Sequence, residues 1–300
     1  TYVRTLYLLS ELIKKDDYHK LMKMSLPEIT KYLEESAYKE EIDKLAVKYS
    51  GVALLENAFY QNTRRMFEKL KFISSDKVRL VIQGYSKRSD TYNLKTIIRG
   101  RFTNIPEQEI IDLLLPIGTL NMEHLARLIK KDSIKSILAD SGLLNELSID
   151  TVYKEFEKTN NLFEIENLLD KSYYSFLLSF SKRIKLRGKK FREFLHSEIY
   201  INNILNILRL KKANTKKNDI MKYLIFTGNK KDDSLLNFIM SLDSTDEIFK
   251  VIQKRDSGLQ REFTNINTDS LIELELALKR FHLKKILLFQ NKYPLSIDIV

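Results

Sequence analysis

Asp90-Thr-Tyr-Asn93-Leu-Lys-Thr-Ile-Ile-Arg99-Gly-Arg101 is answered further along the chain by Tyr200-Ile-Asn-Asn203-Ile-Leu-Asn-Ile-Leu-Arg209-Leu-Lys211. Asn93 falls on Asn203 and Arg99 on Arg209, an offset of 110 residues. The same offset carries Ile97 onto Ile207, Ile110 onto Ile220, Leu114 onto Leu224, Gly118 onto Gly228 and Leu125 onto Leu235 without a gap. Leucines align by chance in any helical chain. An Asn, an Arg and a Gly in the same register argue for a duplicated unit. Such units stack into shaped surfaces for partners rather than into a single catalytic pocket.

The segments around the repeat read as helix. Leu55, Phe59, Met66 and Leu70 make one apolar stripe between Leu55 and Phe72. Pro106-Glu107 opens a helix, with Pro suited to the first turn and Glu complementing the dipole, and that helix is expected to end near Pro116-Ile-Gly118. Pro27-Glu28 makes a similar start. Only 8 Gly and 4 Pro occur in 300 residues, too few for the turns of a many-stranded sheet. The expected fold class is therefore all-α.

Weaker echoes extend the repeat. Leu54 to Tyr60, Leu168 to Tyr174 and Leu271 to Phe281 each open a long helix; the last leads into Tyr293-Pro-Leu. Tyr2 to Ile13, with Leu21 and Ile29 to Tyr38, matches the downstream half of a unit. Three modules follow: 1–85, 86–195 and 196–300. The first lacks its opening helix and the third its closing one.

Composition excludes several chemistries. With no cysteine, neither a disulfide framework nor a thiolate site can form. His19, His124, His196 and His282 have no metal-binding spacing, so no resident metal is expected. Neither G-x-x-x-x-G-K-S/T nor G-x-G-x-x-G occurs, so there is no phosphate cradle and no cofactor is expected. Glu34-Glu35 and Glu40-Glu41 read as solvated helix faces rather than acid/base pairs. Tyr173, Tyr174 and Phe176 sit among leucines and read as packing residues rather than base-stacking ones.

The net charge of +11 is concentrated. Lys182 to Lys217 holds twelve Lys or Arg and two acids, Glu193 and Glu198. Within it, Lys182-Arg-Ile-Lys-Leu-Arg187-Gly-Lys-Lys-Phe-Arg192 is adjoined by a single acid, Glu193. Such charge suits nucleic acid, anionic lipid headgroups or an acidic protein face, or else a solvated helix edge with its loop.

At these residues the chain resembles the C subunit of archaeal and bacterial A/V-type rotary ATPases, the counterpart of the eukaryotic V-type d subunit. The resemblance rests on the Tyr92 to Gly100 block with Asn93, on Pro106-Glu-x-Glu-Ile110 to Leu115-Pro-Ile-Gly118, on Leu21 to Ile29 with Ala37-Tyr38, and on Tyr293-Pro-Leu. It implies three helical modules around a pseudo-threefold axis, forming a funnel between the rotor axle subunits and the membrane proteolipid ring. It also implies a non-catalytic coupling role in ATP-driven or ATP-forming ion transport, peripheral on the cytoplasmic side of the membrane. Copy two departs from copy one: Leu205 stands at the position of Lys95, and Leu210 at that of Gly100.

The candidate partner-binding or module-stabilising residues are Asn93, Arg99, Asn203, Arg209, Lys185, Lys189 and Lys190. Arg99 and Arg209 either line the funnel and meet the axle or tie helix ends to a carboxylate or carbonyl. Asn93 and Asn203 suit capping or cross-linking of helices. Lys185, Lys189 and Lys190 would face acidic subunits or anionic lipid headgroups. The alternative to the coupling role is a basic helical-repeat protein that binds nucleic acid; no RRM, KH, zinc-finger or helix-turn-helix signature accompanies the charge.

Overall fold

The computed structural model describes residues 2–184, 189–242, 244–255, 257–264, 266–267 and 270–292. Among the described residues there are seventeen helices and no strand. The chain divides into two compact units, Thr1–Tyr173 and Tyr174–Ile299. No helix among the described residues is long and apolar enough to cross a membrane.

The first unit begins with four short helices: α1 (Tyr2–Ser10), α2 (Lys15–Leu21), α3 (Leu26–Glu34) and α4 (Lys39–Leu45). Pro27 and Glu28 do start α3. Ser25 and Glu28 close a capping box there, with the Ser25 backbone N–H donating to Glu28 Oε2 at 2.7 Å. The α5 helix (Gly51–Ile73) packs against these with Leu54, Leu55 and Ala58. The buried face is therefore rotated from the expected stripe, and Phe59 is exposed. Glu41 corrects the reading of its acidic pair as solvated. It is buried and accepts from Arg65 Nε at 2.5 Å and Asn62 Nδ2 at 3.2 Å, which joins α4 to α5.

Next come α6 (Asp76–Phe102), α7 (Glu107–Asp112), α8 (Met122–Ile129), α9 (Ile134–Asp140) and α10 (Glu146–Thr159). Pro106 is the N-cap of α7, but that helix ends at Asp112 rather than near Gly118. The chain needs the intervening residues for a turn held by side chains of α6. Helix α11 (Phe163–Arg183) spans the division between units.

The second unit contains α12 (Lys189–Lys212), α13 (Lys217–Lys222), α14 (Lys230–Ser241), α15 (Thr245–Arg255), α16 (Ser257–Glu262) and α17 (Leu271–Lys292). Its core matches that of the first unit position by position as far as the turn after the first short helix. Leu94, Ile97, Ile110 and Leu114 are buried in one; Ile204, Ile207, Ile220 and Leu224 are buried in the other. Beyond the turn the register slips slightly: Leu125 corresponds in burial to Leu236, and Ile165 and Leu169 to Leu274 and Leu278. Two apolar layers with the same residue order explain why, within each unit, the short helices settle against that unit's own long helix, α6 or α12. Tyr173 and Tyr174 are buried, whereas Phe176 is exposed and stacks on Phe180. The Tyr293-Pro-Leu segment lies outside the described residues.

Candidate partner-binding surface

Helix α6 puts Asp90, Asn93, Ile97 and Gly100 on one face through its three- and four-residue spacing. Asn93 is fully buried and forms a reciprocal pair with the turn after α7. Its Nδ2 donates to the Leu115 carbonyl at 2.7 Å, and the Leu115 N–H donates to its Oδ1 at 2.7 Å. The side-chain amide gives the Leu115 N–H its acceptor and adds a donor to a carbonyl that also accepts from Ile117 N–H at 2.8 Å. Asn203 repeats the pair: its Nδ2 donates to the Ile225 carbonyl at 2.8 Å, and the Ile225 N–H donates to its Oδ1 at 3.0 Å.

Below this clamp each long helix ends alike. Asn104 takes φ 56° and Asn214 takes φ 55°, the left-handed conformation that Asn tolerates. Ile105 N–H then donates back to the Gly100 carbonyl at 2.8 Å, and Thr215 N–H to the Leu210 carbonyl at 2.9 Å. In copy one, a Cβ on Gly100 would lie 2.4 Å from Ile110 Cδ1, so the glycine lets α7 approach closely. Copy two holds Leu210 there, packed at the edge of the core.

Arg99 spans from α6 to α11. Its Nε donates to Glu166 Oε1 at 2.6 Å and its Nη2 to Oε2 at 2.5 Å, a two-pronged pair. The Glu166 hydrogen bond holds the guanidinium above its ordinary arginine value. One turn back, Lys95 Nζ donates to Asp170 Oδ1 at 2.6 Å. Arg209 reaches from α12 to Glu275 of α17. Glu275 is held below the usual carboxylate range, first by its hydrogen bond from Lys279 and then by Arg209. Each arginine therefore braces a long helix against the last helix of its own unit.

The basic run is only partly visible. Lys185 lies outside the described residues. Lys189 is exposed, and Lys190 Nζ donates to Glu193 Oε2 at 2.9 Å. Arg192 Nη1 donates to the Ser181 carbonyl at 2.8 Å, so part of the run is engaged locally. Helix α12 has 24 residues. It is about 36 Å long, several Debye lengths, so Lys189 and Lys190 at its start and Lys211 and Lys212 at its end act as separate patches.

Sequence reasoning missed the buried acceptor Asp90. Its Oδ2 accepts from Thr119 N–H at 2.8 Å and Thr119 Oγ1 at 2.7 Å, and its Oδ1 from Leu120 N–H at 2.9 Å. A Cβ on Gly118 would fall 2.1 Å from that Oδ1, so only glycine fits. The available signal was an acid one helical turn before Asn93 in an otherwise apolar face. Glu166 and Glu275, the partners of the arginines, were also missed, because they lie 67 and 66 residues away in sequence.

Nothing in these constellations resembles catalytic machinery: the buried polar groups cap turns, and the ion pairs brace helices. No group of three metal-ligating side chains occurs among the described residues. A solvent-open cleft of about 460 Å³ in the second unit is lined by Arg192, His196, Tyr200, Asp232 and Lys285 among others, with mixed charge. Burial there pushes the half-buried His196 below its usual 6.5. The outer surface also exposes apolar side chains in order: Ile272, Leu276, Leu283 and Leu287 follow one face of α17.

Comparison with known proteins agrees with this non-catalytic geometry. The model of the ATP synthase (C/AC39) subunit family matches residues 3–300. The C subunit of the A-type ATP synthase from Methanococcoides burtonii is 34% identical over 294 residues, 96% of this chain and 80% of the relative. A protein of the same name from Methanosarcina acetivorans is 33% identical over 290 residues, covering 96% and 79%. Another from Archaeoglobus fulgidus is 29% identical over 296 residues, covering 98% and 83%. The chain, with its duplicated helical frame, belongs to the ATP synthase (C/AC39) subunit family.

Proposed function

We propose that the chain is a non-catalytic subunit of an A-type ATP synthase that couples the rotor axle to the proteolipid ring. The family assignment carries the reading, since its relatives are named as the C subunit of A-type ATP synthase. Physical support comes from the braced repeat. A torque-bearing part must not slip internally, and each long helix is fixed at one end by an Asn clamp and an Arg–Glu brace. Densely packed interiors deform little under load.

In this reading the modules 1–85, 86–195 and 196–300 surround a pseudo-threefold axis as a funnel. The protein is peripheral, on the cytoplasmic side of the membrane. Exposed basic residues such as Lys189 face acidic subunits or anionic headgroups, each contributing about 1 kcal/mol near an anionic surface. The apolar face of α17 adds contact area of the kind that protein interfaces use. The relatives support this reading and lend nothing to the nucleic-acid alternative.

The test is affinity purification of the tagged chain from detergent-solubilised membranes. Retrieval of ATP synthase subunits in fixed stoichiometry is expected. Retrieval of RNA with no ATP synthase subunit would replace the coupling role with the nucleic-acid one.

A further inference from the structure

Among the described residues the chain twice turns back onto the long helix it has just left. Helix α6 follows α5 and packs against it. Helix α12 follows α11 and lies over its second half. There Tyr174 Oη donates to Glu198 Oε1 at 3.2 Å, and Asn202 Nδ2 donates to Tyr174 Oη at 2.5 Å. Tyr174 and Leu177 are buried on that face. Residues 293–300, which follow α17, lie outside the described residues.

Helix α17 repeats α11 at an offset of 109 residues. Leu274 and Leu278 take the buried places of Ile165 and Leu169, and Glu275 takes that of Glu166 as the arginine's partner. At the start of the two helices the outer face is open in both, with Phe163 and Ile272 exposed. At the end the two differ. Tyr174 is 5% exposed, whereas Leu283 in its place is 57% exposed, and Leu287, one turn on, is 44% exposed. Leu283 and Leu287 project on the side of α17 opposite Leu274, Leu278 and Phe281, which enter the core. The repeat therefore has a covered face on α11 that is open on α17.

We infer that the outer face of α17 at Leu283 and Leu287 is the seat of residues 293–300 of this same chain. The segment reads Tyr293-Pro-Leu-Ser-Ile-Asp-Ile-Val300. A residue before proline is turned away from helical geometry, so Tyr293-Pro294 favours a change of direction after α17. Leu295, Ile297 and Ile299 then supply apolar side chains to lay on the two leucines. Asp298 is the segment's one charge, opposite in sign to Arg280, which lies three residues before Leu283. Leu287 and Leu283 lie about 8 Å and about 14 Å back from Lys292 along the helix axis, while a segment of this length spans about 12 Å as helix and about 26 Å extended. It reaches Leu287 in either form. Ile272, about 30 Å back, stays beyond that reach and open to a partner. The inference stands apart from the coupling role, because it concerns the chain by itself.

The chain has no cysteine, so a single introduced thiol reports its own cover. In the purified chain Leu287→Cys should react with a maleimide roughly tenfold more slowly than Ile272→Cys. Adding Leu295→Asp and Ile297→Asp to Leu287→Cys should bring the two rates together. Where L287C melts early, L283C gives the same readout. Where the aspartate pair melts early, L295S/I297S replaces it, with a smaller change in the same direction expected. Leu287→Cys reacting as fast as Ile272→Cys would overturn the inference. Slow reaction that the segment variants leave unchanged would overturn it too. Slow reaction that disappears on dilution would assign the face to a second copy of the chain and overturn the seat proposed here.

Discussion

The turn after α7 and the turn after α13 solve one packing problem in two ways. Both take a reciprocal hydrogen-bond pair from an Asn on the long helix behind them. They differ in where the next carboxylate comes from. In the first unit Asp90, on the long helix, reaches forward to Thr119 and Leu120 and forces glycine at 118. In the second unit Tyr200 occupies the Asp90 position. Asp233, from the following helix, reaches back to the N–H groups of Thr227 and Gly228 at 3.2 and 3.0 Å. The aligned glycines therefore serve different needs: Gly118 for space, and Gly228 for its φ of 78°. Sequence register between copies shows that a turn must be held; it does not show which side chain holds it.

That contrast breaks most readily at Asp90. Asp90→Ala takes the acceptor from the buried Leu120 N–H and from two part-buried Thr119 donors and should cost about 3 kcal/mol. Asp233→Ala, in a more open turn, should cost about 1 kcal/mol. Amide hydrogen exchange reads each change locally, with faster exchange at Thr119 and Leu120 in the first variant and at Thr227 and Gly228 in the second. Equal losses would mean that the two turns are held alike.

The Asn clamps should behave as a matched pair. Asn93→Ala and Asn203→Ala each remove a donor and an acceptor from a buried turn, for about 2 kcal/mol apiece. Local exchange at Leu115 and at Ile225 should rise to a similar extent. A large effect at one and none at the other would make one clamp incidental.

The glycines sharpen the difference further. Gly118→Ala drives a methyl group into the Asp90 carboxylate and should cost about 2 kcal/mol in a urea melt. Gly228→Ala meets no atom and pays only the left-handed backbone penalty, about 1 kcal/mol. Reversed ranking would contradict the space-versus-conformation distinction.

The smallest effect belongs to the second unit and to pH. Burial depresses the His196 pKa, so the folded state binds that proton less readily than the unfolded chain does. Stability from this site is complete above about pH 6.5 and falls as pH drops below it. His196→Gln should flatten that slope, seen as a smaller difference in melting temperature between neutral and mildly acidic buffer.

The frame was legible in the sequence because its determinants are residue types placed in register: Asn93 with Asn203, Ile110 with Ile220, and the scarcity of Gly and Pro. The all-helical fold followed from that; the family followed from the resemblance carried by the Tyr92 to Gly100 and Pro106 to Gly118 blocks. What stayed hidden depended on partners distant in sequence or on exchanged roles. Glu41 reads as a solvated acid until Arg65 and Asn62 of the next helix are seen beside it. Asp90 has no counterpart in the second copy, so the repeat gave it no weight. Burial on α5 shifted from Phe59 to Ala58 because the short helices pack on an adjoining face.

The coupling role reduces to whether this chain bridges two things that do not bind each other. The direct measurement immobilises the proteolipid ring in lipid nanodiscs and follows capture of labelled axle subunits with and without the chain. Saturable capture only when the chain is present is expected. Equal capture in its absence, or a chain that binds neither ring nor axle, would show that it does not join them.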